Sequence, residues 1–179
     1  MARKAFFRLA TRLLPAAFIL ATASAEVSAK HARVELLSRQ QNAAPASDVL
    51  LGVHFVLEQG WHIYWINPGD SGQPPVFQWQ LPAGFAAGEI QWPRPERMQP
   101  SPTLADYGYH DDILLLVPVK VASSVAAGKP ADLTLDAKWL ICREICIPDH
   151  AQLKLSLPVA REVQDNPATA EIFARTEKL

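Results

Sequence analysis

Cys142 and Cys146 are the only cysteines in this sequence, separated by Arg143, Glu144 and Ile145, and they are the residues best able to do chemistry. In thiol–disulfide exchange a thiolate attacks a disulfide sulfur, a mixed disulfide forms, and a second thiol resolves it. Two sulfurs held close therefore suffice, and no cofactor is needed. Arg143 and Lys138 would favour a nearby thiolate, and Glu144 would oppose it. A structural bridge is the competing reading. A ring of five residues constrains the unfolded chain little, giving about 2 kcal/mol on the chain-entropy expression. So weak a staple can open without unfolding a domain, which favours redox work, yet exported proteins carry many inert disulfides. Spacing alone leaves both open.

A metal site fits less well. Cys142, Cys146 and His150 recur every fourth residue, as on a helix, but Pro148 and the flanking β-branched residues oppose a helix there. No second cysteine or histidine cluster completes a zinc tetrahedron, so no resident metal is expected. Two thiolates could hold copper(I) only transiently. No Ser/His/Asp array or phosphate loop is evident.

The N-terminus indicates the compartment. Arg3, Lys4, Arg8 and Arg12 precede an apolar run from Leu13 to Leu20, and Ala23-Ser24-Ala25 is a small-x-small cleavage pattern. That is the layout of a secretory signal peptide over residues 1–25, with a second cut possible after Ala29. The run is too short to span a bilayer, which needs roughly 20 apolar residues. Export places the cysteines where they pair by default, because the bacterial periplasm is oxidising. Removing the four basic residues of the leader leaves 13 basic against 18 acidic side chains, a formal charge of −5. Such a domain suits neither nucleic acid nor anionic lipid.

The elements that must position the pair read as strands. Apolar or alternating runs occur at 32–37, 49–57, 61–66, 76–81, 89–92, 113–121, 133–141 and 153–157. Prolines such as Pro68, Pro74, Pro75, Pro82, Pro93 and Pro95 sit mostly between them. Many short strands with this punctuation predict an all-β sandwich over residues 26–160. Residues 161–179 read as a tail or linker containing a short helix around Ala170 to Ala174. The stretch from Trp92 to Tyr109 has no hydrophobic period and reads as a long irregular loop.

With these residues in place, the chain resembles the N-terminal periplasmic domain of the DsbD thiol:disulfide interchange proteins, particularly the ScsB-like branch. The resemblance is carried by Gly60 to Gly72, by Tyr107-Gly108-Tyr109, and by Trp139 to Pro148, in family order. It implies an immunoglobulin-like sandwich with a redox-active pair, Cys142 and Cys146, on a hairpin. Tyr64 matches an aromatic position beside the pair, and His62 stands where the best-known members have tyrosine. Asp106, Tyr107 and Tyr109 lie where the family has a capping loop, and Trp139 completes the expected surround. Gly108 suits a loop that opens, with Tyr107 or Tyr109 as its lid. Two departures stand out. The best-known members have five residues between the cysteines, and their capping phenylalanine is replaced here by Asp106. Implied partners are the membrane-embedded and thioredoxin-like domains of a DsbD-type reductase on one side. On the other are periplasmic thioredoxin-like proteins and disulfide isomerases, with roles in cytochrome c biogenesis or copper tolerance.

Overall fold

The computed structural model describes residues 26–178, so the expected signal peptide lies outside the described residues. Among the described residues, eleven strands form two antiparallel sheets, followed by a short helix. One sheet runs in the order β1(Val27–Ala29), β2(Ala32–Ser38), β3(Asp48–Leu57), β9(Asp112–Val121), β6(Phe85–Ala87). The other runs β11(Cys146–Leu157), β10(Ala131–Cys142), β4(His62–Gly69), β8(Leu104–His110), β7(Glu96–Ser101), while β5(Val76–Gln80) also pairs with β10. The fold is a β-sandwich, as the strand pattern predicted, and it is of the immunoglobulin-like kind that the resemblance implied.

Period two decides which residues meet between the sheets. Val49, Leu51, Val53, Phe55 and Leu57 of β3 face Leu133, Leu135, Ala137, Trp139 and Ile141 of β10 across one continuous core. Burial of this apolar surface is the main force holding the sheets together. On the far side of the first sheet, α1(Ala170–Thr176) lays Phe173 against Leu114 and Leu116. Its Arg175 donates to Asp112, which also contacts His54. The segment after residue 160 thus packs onto the sandwich, with Asn42 bridging to the backbone of Glu162 and Gln164.

Two expectations fail around the prolines. The run at 89–92 forms only an isolated bridge, Gln91 to Leu116, and β6 pairs with β9 instead. The stretch 92–109 is largely not a loop, because β7 and β8 pair within it. Pro93, Pro95, Pro100 and Pro102 hide the alternation in the sequence. β7 tolerates Pro100 because it is an edge strand, where a missing donor leaves no partner unpaired.

Candidate active site

The site is built at the end of one hairpin. β10 and β11 pair without a slip from Ala131 opposite Leu157 up to Cys142 opposite Cys146, the last rung before the turn. Arg143 to Ile145 close the turn, with the Arg143 amide donating to the Ile145 carbonyl at 3.1 Å. The two cysteines are joined by a disulfide, with Cα atoms 4.1 Å apart. Pro148 sits on β11, the sheet edge, where its missing donor costs nothing. The ladder below the cysteines holds the sulfurs in register whether or not the bond is closed.

The two sulfurs differ in access. Cys142 is 2% exposed, whereas Cys146 is exposed beside the turn, next to Ile145, which is 66% exposed. Cys142 also pairs with His62 of β4, and His62 pairs with His110 of β8. One row of side chains therefore crosses four strands on the outer face: Cys146, Cys142, His62, His110. Tyr64, two residues along β4, shares that face, and its hydroxyl lies 3.6 Å from Cys146 Sγ. His62 Nε2 lies 3.3 Å from the same hydroxyl.

A loop covers Tyr64 from above. Gly72 has φ +79°, and a Cβ there would stand 2.2 Å from the Tyr64 ring, so only glycine lets the backbone lie on it. Asp106 fixes this loop: its carboxyl group accepts from the Ser71 amide at 2.9 Å and from the Ser71 hydroxyl. Asp70 adds two further links to Ala105. Burial, and then the Asp106 charge, push the Tyr64 phenol above its ordinary value, with the Ser71 hydrogen bond opposing. Burial, followed by the neighbouring His110, lowers His62 below the usual histidine value, while Asp106 pulls it back up.

Several expected surround residues lie elsewhere. Tyr107 and Tyr109 alternate with Asp106, Gly108 and His110, so they point to the opposite face of the sheet from His62 and Tyr64. Tyr109 is buried in the core and donates to the Pro93 carbonyl at 2.9 Å. Tyr107 meets Trp65 edge-on at 6.4 Å between centroids. Neither tyrosine forms the expected lid. Nor is Gly108 a hinge: a Cβ there would lie 2.1 Å from the Ile63 carbonyl oxygen, so it permits close strand approach. Asp106 does not cap the sulfurs but anchors the loop over Tyr64. Trp139 packs on Phe55 in the core, edge to face at 5.2 Å.

Arg143 does not turn toward the sulfurs. Its guanidinium lies 5.2 Å from the centroid of Trp61, whose other partner is the stacked ring of His31 at 3.8 Å. This stack ties the hairpin turn to the β1–β2 turn. Sequence reasoning did not single out Ser71 and Gly72 as site residues, although both lie inside the Gly60–Gly72 segment. The signal was there: a glycine-rich turn directly after the strand that carries Tyr64.

A sandwich with a cross-strand cysteine pair at a hairpin end, one sulfur open and one sheltered, defines a thiol–disulfide interchange domain. The chain matches the family described as "Thiol:disulfide interchange protein DsbD, N-terminal" over residues 33–173, and it belongs to that family. It is similar in fold to the N-terminal periplasmic domain of ScsB from Proteus mirabilis, with a TM-score of 0.59 and 22% sequence identity. That similarity covers 81% of this chain and 52% of the other, so the chain spans about half the length of that relative. No curated protein matches the chain significantly.

Proposed function

We propose that this domain works in the periplasm, relaying reducing equivalents from a membrane reductase to periplasmic thiol proteins. The observation that carries this reading is the unequal access of the two bonded sulfurs. The signal-peptide pattern of residues 1–25 supports export, and the family supports exchange chemistry.

In the donating direction the reduced domain presents Cys146. Its thiolate attacks one sulfur of the partner disulfide. A Cys146–partner bond forms and the partner's other sulfur leaves as a thiolate. The Cys142 thiolate then attacks Cys146 Sγ, the internal bond closes, and the second partner thiolate departs. Two electrons pass from the domain's dithiol to the partner, which becomes the dithiol. The shelter of Cys142 and its position directly opposite Cys146 support it as the resolving sulfur. Recharging by the membrane reductase reverses the same steps, the incoming thiolate attacking exposed Cys146.

The test is the redox equilibrium of the bridge. Incubated with a thioredoxin-type dithiol at graded potentials, the Cys142–Cys146 bond should open reversibly. Its potential should lie above about −300 mV, below which structural bridges resist the glutathione pool. A bond that stays closed across that range would make it a structural staple and sink the proposal.

A further inference from the structure

The sheet that carries the cysteines parts beside them. β5 pairs with β10 from Gln80 opposite Thr134 to Val76 opposite Lys138, and β4 pairs with it at Cys142, opposite His62. Leu140, between those contacts, has no strand partner on that side among the described residues. The opening is a groove of about 470 Å³ whose lining includes Pro74, Val76, Lys138, Leu140, Pro148 and His150. Alternation puts Leu140 and Lys138 on the face of Cys142, and their partners Pro148 and His150 on that of Cys146. The groove therefore starts one rung below the disulfide. Its second rung, Lys138 opposite His150, lies about 13 Å from the cysteines by strand rise.

The edge of β11 is closed to a partner strand here. Pro148 has no amide hydrogen, and the amide of His150 donates to the Asp149 carboxylate at 2.9 Å. The other Asp149 oxygen accepts from the Lys30 amide at 2.7 Å, which holds that carboxylate in place. A chain arriving at Cys146 cannot extend the sheet past the sulfur, so it has to lie across the face.

That face offers two kinds of contact. Leu140, Pro148 and Val76, the last 52% exposed, make an apolar floor. Lys138 is exposed, and its ammonium makes no ion pair among the described residues. Asp149 also lines the groove, but its two oxygens already accept from the Lys30 and His150 amides. The unanswered charge is positive.

We propose that this groove receives an extended segment of the partner protein flanking its reactive cysteine, with an apolar side chain over Leu140 and Pro148 and a carboxylate at Lys138. An extended chain points alternate side chains one way, with the same rise as the strands beneath it. With its cysteine at Cys146, the residue two places along stands over the first rung. The residue four places along stands over the second. The groove thus selects a cysteine, then an apolar residue, then an acidic one at every second position, read in either chain direction. This inference rests on the exchange reading above and names what the partner presents to it.

Short peptides carrying their cysteine as a mixed disulfide with thionitrobenzoate test this. The single thiol of the reduced Cys142→Ser chain attacks the peptide sulfur, forms the Cys146–peptide bond and expels the coloured thiolate, whose absorbance gives the rate. Cys-Ser-Leu-Ser-Glu or its reverse should react about tenfold faster than the matching all-serine peptide, the factor that partial burial of one leucine supplies. Leu140→Ser should remove the leucine's share. Lys138→Glu should shift the preference to a peptide with lysine in place of glutamate. Neither side chain belongs to the core, so both variants should fold. Rates that ignore the peptide sequence, or an advantage that survives both variants, would overturn the proposal. So would self-association that Lys138→Glu abolishes, seen by sedimentation, because it would seat a second copy in the groove. The redox equilibrium of the bridge does not enter these rates, so the carrier reading stands or falls separately.

Discussion

Cys142 and Cys146 share one bond but not one environment: the first is 2% exposed within the sheet's outer row, and the second is exposed beside the turn. An incoming thiol can reach Cys146 directly, and its attack leaves Cys142 as the departing sulfur. The hairpin holds both positions through an unbroken ladder beneath them. In the proposed exchange, their places on the turn assign encounter to Cys146 and resolution to Cys142.

The fold should not need the bond. Replacing both cysteines with serine should lower stability by no more than about 2 kcal/mol, the chain-entropy value for so small a ring. For a domain of this size that is a fall in Tm of about 4–8 °C. Thermal melts followed by far-ultraviolet circular dichroism would show it. An unfolded double variant would contradict the account.

Asp106 should matter to the loop more than to the sulfurs. Asp106→Ala removes both acceptors of Ser71 and should cost about 2–3 kcal/mol, since hydrogen bonds to a carboxylate are among the stronger ones. Amide exchange should accelerate at Ser71 and Gly72, with β10 and β11 keeping their protection. Unchanged exchange at Ser71 would show that the loop is held by something else.

Much of this was legible in the sequence. The core strands β3, β9 and β10 announce themselves by alternating or continuous apolar runs, and the cysteine spacing identified the pair. The β7–β8 hairpin was not legible, because Pro100 and Pro102 break its period and four of the six β7 residues are exposed at the edge. The lid went to the wrong residues for a related reason. Tyr107 and Tyr109 sit close to the site in sequence register, but strand alternation sends both to the far face. The actual cover, Gly72 over Tyr64, is signalled by the glycine-rich turn after β4, but its place is fixed by Asp106, a long-range contact outside that turn.

His62 should leave a mark on stability against pH. Its pKa is lowered in the folded chain, chiefly by burial and by His110, from the ordinary 6.5. Well above pH 6.5 the ring is neutral in both states. As the pH falls below that value the unfolded chain takes up the proton first, so stability falls until the folded ring is also protonated. Denaturant midpoints should therefore drop as the pH falls through 6.5. The drop should be smaller in His62→Gln, and an equal drop in both proteins would contradict the burial argument.

The central claim is that Cys146 meets the partner and Cys142 resolves, and covalent capture tests it most directly. Reduced Cys142→Ser protein, mixed with periplasmic extract whose thiol proteins are oxidised, lacks the resolving sulfur. It should accumulate a mixed disulfide with a thioredoxin-like protein, visible as a higher-mass band that dithiothreitol removes. Cys146→Ser, which leaves only the sheltered sulfur, should capture far less. Capture by neither variant, or stronger capture through Cys142, would contradict the account.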